Sequence, residues 1–255
     1  EEHLERLYDS CKPYDLEIDH DPEELTEATK TLIREQDLAS CYVRPIAFYG
    51  YESLGVSPGD CPTKTAIAAW PWGAYLGDDA LENGVEVMVS SWRKHASSQI
   101  PTNAKTTGLY VNSMLAGEEA RRNGFAEAIV LNKEGNVAEG PGENLFMVKD
   151  GELYTPGLAE SILDGITRDS VITLAEEMGY EVHDQATISR GELNTADELF
   201  FTGSAAEVTP IRQVDNVEIG EGGRGPVTEE IQSRFFDIVN RRTDEYEEWF
   251  EYVGE

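Results

Sequence analysis

Among charged side chains lysine is the scarcest: Lys12, Lys30, Lys64, Lys94, Lys105, Lys133 and Lys149 are all there are in 255 residues. A chemically active amine, if the protein uses one, is one of seven. Cysteine is scarcer still. Cys11, Cys41 and Cys61 are odd in number and widely separated, which excludes a disulfide framework or a CxxC motif and leaves reduced, partly buried thiols. His3, His20, His95 and His183 stand singly, so neither a zinc site nor a Ser-His-Asp triad has its usual parts, and no metal is expected. Long apolar runs are missing too. "AIAAW" is typical, far short of the roughly 20 residues a membrane span needs, and nothing at the start resembles a signal peptide. A cytoplasmic protein is expected.

Positive charge is the last shortage. Twenty Lys and Arg face fifty Asp and Glu, a formal net charge of −30. Such a field repels nucleic acid and anionic membranes, so neither is an expected partner. The acids are dispersed along the chain and 40% of residues are hydrophobic, enough for a packed core in one large domain or two small ones. Self-repulsion destabilises a compact state unless salt screens it, to about 3 Å at molar concentration. The composition suits a salt-rich, halophilic cytoplasm.

The patterning predicts alternating helices and strands. "DPEELTEATKTLIREQDL" places Asp21 as an N-cap, Pro22 at the first helical position, and Leu25, Ala28, Leu32 and Ile33 at helical spacing. "SCYVRPIAFYG" and "TKTAIAAWPW" read as strands. "GAYLGDDALENG" reads as a linker, and "VEVMVSSW" resumes as a strand. A helix is predicted from Gly108 to Asn123, stopped by Gly124. "EAIVLNKEGNVAEG" and "NLFMVKDGELYTP" read as hairpins. "GITRDSVITLAEEMG" is a helix, "ADELFFTGSAAEVTP" a strand entering a tight turn, and "GPVTEEIQSRFFDIVN" a last helix.

Chemistry could sit in a few places. Lys105, in "IPTNAKTTGLY", has only small uncharged neighbours; an exposed loop lysine and an activated amine both fit that setting. "EGPGENLF" sets Glu139 and Glu143 around two glycines, where backbone can approach a ligand, although a hairpin connection would look the same. The turns "GITRD" and "TGSAAE" offer backbone N–H groups and the Thr167 and Ser204 hydroxyls to an anion, or ordinary caps to helices. Arg6 and Arg44 could grip phosphate or carboxylate, or pair with the many acids. Trp70, Trp72 and Tyr75 read by themselves as core or linker anchors.

Taken in order, "AAWPWGAYLG", "IPTNAK", "NGFAEAIVLN", "AEGPGENLF", "DGITRD" and "TGSAAEVTPI" resemble the branched-chain amino acid aminotransferases, the fold type IV pyridoxal phosphate enzymes. The resemblance runs essentially the whole length. It implies a two-domain α+β and α/β fold, like that of D-amino acid aminotransferase: a small N-terminal domain over 1–72, a linker over 73–80, and a larger cofactor-binding domain over 81–255. It also implies pyridoxal 5′-phosphate as cofactor, a homodimer or a larger assembly up to a hexamer, and amino transfer between leucine, isoleucine or valine and 2-oxoglutarate, with glutamate and the branched-chain 2-oxo acids as the other partners.

Roles follow residue by residue. Lys105 would carry the cofactor as an aldimine and then act as the base. Glu139 would hold the pyridine nitrogen protonated, Tyr110 would bond the phenolic oxygen, and Gly142 and Asn144 would lie against the cofactor. Arg6, Ile166, Thr167 and Ser204 would hold the phosphate, and Ser204 and Ala205 the substrate carboxylate. Tyr42, Leu54, Val56, Trp72 and Tyr75 match apolar pocket positions, with Val56 reaching a neighbouring subunit, and Arg44 matches the residue that receives the side-chain carboxylate of glutamate.

The chain departs from the family pattern in three ways. Thr107 and Leu109 replace a usual glycine and asparagine, and Leu54 a common methionine. The chain opens at "EEHLERL", where family members already carry a preceding segment, so it is expected to be N-terminally incomplete. D-amino acid aminotransferase and aminodeoxychorismate lyase share the fold and are the alternative activities. "PWGAYLG" and Arg44 favour the branched-chain reading over these, and joint retention of Lys105, Tyr110 and Glu139 argues against a catalytically silent binding protein.

Overall fold

The computed structural model describes residues 1–73, 75–77 and 79–254. The chain divides into two compact units, Glu1–Gly73 with Tyr246–Glu255, and Ala74–Glu245. The last ten residues, expected in the larger domain, thus group with the N-terminal unit, where Lys30 reaches Glu251 at 2.5 Å and Arg34 donates to the Val253 carbonyl at 2.9 Å. Of the expected connection over 73–80, Ala74 and Asp78 lie outside the described residues.

The smaller unit holds helices α1 (Glu2–Cys11) and α2 (Pro22–Glu35) and an antiparallel pair of strands, β1 (Tyr42–Tyr49) and β2 (Thr63–Trp70). Helix α2 starts where its sequence dictates. The Asp21 carboxylate accepts from the Glu24 N–H at 2.8 Å and Glu24 accepts from the Asp21 N–H at 3.1 Å, a capping box with Pro22 just inside it. In the strand pair Tyr42 faces Trp70 and Arg44 faces Ala68. Because side chains alternate, Tyr42, Arg44 and Trp70 share one face.

The larger unit is a nine-stranded mixed sheet. Its strands are β3 (Val85–Arg93), β4 (Glu127–Leu131), β5 (Val137–Glu139), β6 (Asn144–Lys149), β7 (Glu152–Pro156), β8 (Val182–Ala186), β9 (Glu198–Gly203) and β10 (Glu207–Val214), in spatial order β5-β4-β3-β10-β9-β6-β7-β8, with β11 (Val217–Glu218) beside β10. The β6–β7 turn carries Asp150 and Gly151 both at positive φ (52° and 82°), the geometry that matches the strands' twist and that the Asp-Gly sequence favours. Strands β4, β6 and β9 are buried on both faces, which their nearly continuous apolar sequences allow. One face packs Val87, Ile129, Leu145, Leu199, Phe201 and Ile211 into the main core.

Helices α3 (Ala80–Asn83), α4 (Tyr110–Arg122), α5 (Ile166–Glu177), α6 (Arg190–Leu193) and α7 (Pro226–Val239) complete this unit. Helix α4 lies close on the sheet because the contact is made of small residues, Ala116 and Ala120 against Ala128 and Val130. It was expected from Gly108; its regular hydrogen bonding begins at Tyr110, which puts that side chain at the helix mouth. Cys11 is buried, Cys41 and Cys61 half-buried, and all three are free. No described helix is long and apolar enough to cross a membrane.

Candidate active site

Strand β5 ends at Glu139, and three neighbours fix its carboxylate. Lys94 Nζ, one residue past the end of β3, pairs with Oε1. Asn144 Nδ2 at 3.0 Å and the Leu163 N–H at 2.9 Å both donate to Oε2. The two charged side chains are only 11% and 8% exposed. Asn144 can hold this position because Gly165 lacks a side chain: a Cβ there would lie 2.0 Å from Asn144 Oδ1.

Lys105, Tyr110, Glu139, Gly142 and Asn144 line a single cleft, together with Lys94, Glu143 and Leu163. Five residues from two stretches of the sequence, 105–110 and 139–144, therefore meet at one place in the larger unit. An amine, a phenol and an anchored carboxylate facing one space can bind a carbonyl compound, hold an electron-poor ring nitrogen, and move protons.

A second acidic group borders the cleft. Glu143 is buried, its Oε2 accepts from the Gly142 N–H at 3.1 Å, and its Oε1 has no hydrogen-bond partner among the described residues. Burial, and then the charge of Glu127, holds its carboxyl well above the usual carboxylate range. Glu127, on β4, is pushed up to about 7, again by burial. The Tyr75 hydroxyl lies 3.5 Å from Glu127 Oε2, and burial with the Glu143 and Glu127 charges drives its pKa far up.

Of the two segments read as offering N–H groups to an anion, one is a helix start and the other a turn. Ile166 and Thr167 open α5, whose N-cap Gly165 supplies no side-chain cap, so the first N–H groups point along the positive end of the helix dipole. Ser204 and Ala205 lie in the turn between β9 and β10. Thr202, just before that turn, has a buried Oγ1 without a hydrogen-bond partner among the described residues.

The remaining expected residues belong to the smaller unit. Tyr42, Arg44 and Trp72 come together there, with the Tyr42 and Trp72 ring centroids 4.6 Å apart and the Arg44 guanidinium over both rings. Leu54 and Val56 are fully exposed in the β1–β2 connection, and Arg6 is half-buried on α1. Sequence reasoning missed Lys94 as the partner of Glu139, although the shortage of lysine had already reduced the candidates to seven. It also missed Glu127, which nothing local marks.

Residues 1–214 match the amino-transferase class IV family. The chain is 48% identical over 255 residues to the branched-chain-amino-acid aminotransferase of Escherichia coli (strain K12), covering all of this chain and 82% of that one. The crystal structure of the Escherichia coli enzyme superposes with a TM-score of 0.96 at 48% identity, over 99% of this chain and 83% of that chain. That of the branched-chain amino acid aminotransferase from Thermobaculum terrenum, in its PLP form, gives 0.92 at 35%, over 100% and 82%. The chain belongs to the branched-chain-amino-acid aminotransferases of the class IV family.

Its cofactor is accordingly pyridoxal 5′-phosphate, and the residues present fit that group. The cleft of the larger unit joins an amine to a fixed carboxylate, and the uncapped start of α5 and the unpartnered Thr202 Oγ1 offer donors to an anion.

Proposed function

We propose that the chain exchanges amino groups between L-leucine, L-isoleucine or L-valine and 2-oxoglutarate, with Lys105 as the amine that bonds the cofactor. The meeting of Lys105, Tyr110 and the triply anchored Glu139 in one cleft carries this reading. When bound, the cofactor supplies a carbonyl for the amine and a ring that accepts the electron pair left at Cα. The chain's own residues do the rest. Lys105 Nζ, released when the substrate amine takes its place, would move a proton between the substrate Cα and the cofactor's C4′. Glu139, kept from rotating by Lys94, Asn144 and Leu163, holds a proton on the ring nitrogen, and Tyr110 Oη hydrogen-bonds the phenolic oxygen.

Ile166, Thr167, Ser204 and Arg6 bind the phosphate in this reading, and Ser204 and Ala205 the substrate carboxylate. Tyr42, Leu54, Val56, Trp72 and Tyr75 accommodate the branched side chain, and Arg44 the second carboxylate of glutamate. The working form is a homodimer at least, in a salt-rich cytoplasm, as the dispersed charge of −30 suggests. The purified protein with cofactor should be yellow, and its visible band should shift on adding L-leucine and be absent in Lys105→Ala. A colourless wild-type protein supplied with cofactor would refute catalysis. Amino transfer from D-alanine but not from L-leucine would move the chain to the D-amino acid enzymes.

A further inference from the structure

Among the described residues, Arg44 is a cation without an acidic partner on an acidic surface. Fifty carboxylates compete for twenty Lys and Arg side chains, yet among the described residues none lies within ion-pair distance of Arg44 and none of its N–H groups has a hydrogen-bond acceptor. Its surroundings are aromatic instead. The guanidinium carbon stands 5.2 Å from the centre of the Tyr42 ring, 5.3 Å from Trp70 and 5.9 Å from Trp72. The three rings also pack on one another, at 5.3 Å for Tyr42 and Trp70 and 5.6 Å for Trp70 and Trp72.

Strand register builds this cage. Tyr42 and Arg44 are two residues apart on β1 and so share a face, Trp70 is paired across from Tyr42, and the residue across from Arg44 is Ala68. A small residue opposite leaves room for the long arginine side chain to lie over its diagonal neighbour, Trp70. Ring faces can hold a guanidinium by its π surface without using any donor. The fork of N–H groups at its edge then remains available, in the plane that a carboxylate needs for two parallel hydrogen bonds.

The geometry points to Trp70 as a positioning residue that sets specificity: it holds the Arg44 fork ready for the side-chain carboxylate of glutamate and 2-oxoglutarate, while the ring faces shield the charge when an apolar side chain is bound. This rests on the reading of Arg44 given above. Preorganisation matters because a free arginine would lose rotamer freedom on binding, and that cost would fall on the dicarboxylate substrates alone. One ring face at a partly exposed site corresponds to about a two- to fivefold effect on the equilibrium.

The test compares binding of glutarate, a diacid with the chain length of glutamate, and 4-methylpentanoate, which has the leucine side chain, to the cofactor-loaded protein by calorimetry. The same variants are assayed for kcat and KM with glutamate and leucine. Trp70→Leu should weaken glutarate relative to 4-methylpentanoate by about two- to fivefold and raise the KM for glutamate more than that for leucine, and Trp70→Phe should restore most of the difference. Equal effects on both ligands in Trp70→Leu, or no effect on either, would overturn the role of Trp70. Arg44→Met separates the two readings. If it lowers glutarate affinity no more than that for 4-methylpentanoate, the assignment of Arg44 itself fails; if it lowers glutarate selectively while Trp70→Leu does not, only the cage fails.

Discussion

Replacing Lys94 by methionine takes the cation from a pair whose side chains are 11% and 8% exposed. Leaving a buried charge without its partner costs about 3–5 kcal/mol. Glu139 would keep the Leu163 N–H at 2.9 Å and the Asn144 amide at 3.0 Å, which still compensate part of its charge, so the loss belongs at the lower end, about 3 kcal/mol. A chain of this size changes its melting temperature by about 2–4 °C per kcal/mol, so the cofactor-free Lys94→Met protein should melt about 6–12 °C below its parent. Saturating pyridoxal phosphate brings a protonated ring nitrogen to the same carboxylate, and the deficit should shrink by more than half. Adding Glu139→Gln removes the unpaired charge and should recover most of the loss in the cofactor-free form. Differential scanning calorimetry of the single and double variants, with and without cofactor, measures all of this. A cofactor-free Lys94→Met protein melting within about 2 °C of the parent would show that the pair contributes nothing to the fold.

Two further predictions concern conditions. The Glu127 carboxyl is raised from its ordinary 4.5 to about 7, so the folded state holds this proton more tightly than the unfolded one. The stability that this contributes is complete below about 4.5 and is lost as the pH rises through about 7. Glu127→Gln should therefore gain on wild type across that window, and denaturant midpoints that run parallel in the two proteins would contradict the assignment. The net charge of −30 makes the folded state self-repelling, so melting temperature and activity should both rise from about 0.1 M to about 2 M KCl. Equal melting temperatures at the two concentrations would remove the case for salt adaptation.

The legible parts of the site were those that repeat a local pattern. Lys105 and Tyr110, five residues apart, and Glu139 and Asn144, again five apart, can be read as short motifs, and the structure gathers all four around one cleft. Asn144 lines that cleft with its amide donating to Glu139 and to the Leu163 carbonyl. The partner of Glu139 could not be read in this way. Lys94 is 45 residues upstream and becomes a neighbour only because β5 pairs with β4 and β4 with β3. Glu127 has the same history. Its sequence context "FAEAIV" is that of an ordinary strand, and only the covering of both faces of β4 turns its carboxyl into a buried, proton-holding group.

By itself the sequence determined what depends on a few consecutive residues. The Asp21–Pro22 start of α2, the Asp150–Gly151 turn and the glycine stops after α4 and α5 follow from backbone sterics and local hydrogen bonds, which act over three or four positions. The ordered motifs likewise carried the family. Tertiary structure decided which charges meet. The Lys94–Glu139 pair, the elevated carboxyls of Glu127 and Glu143, and the aromatic cage of Arg44 all depend on strand register and on exclusion of water. Register is fixed by the packing of whole strand faces, and desolvation by everything that covers a group, so neither can be read from the residues beside it in the chain.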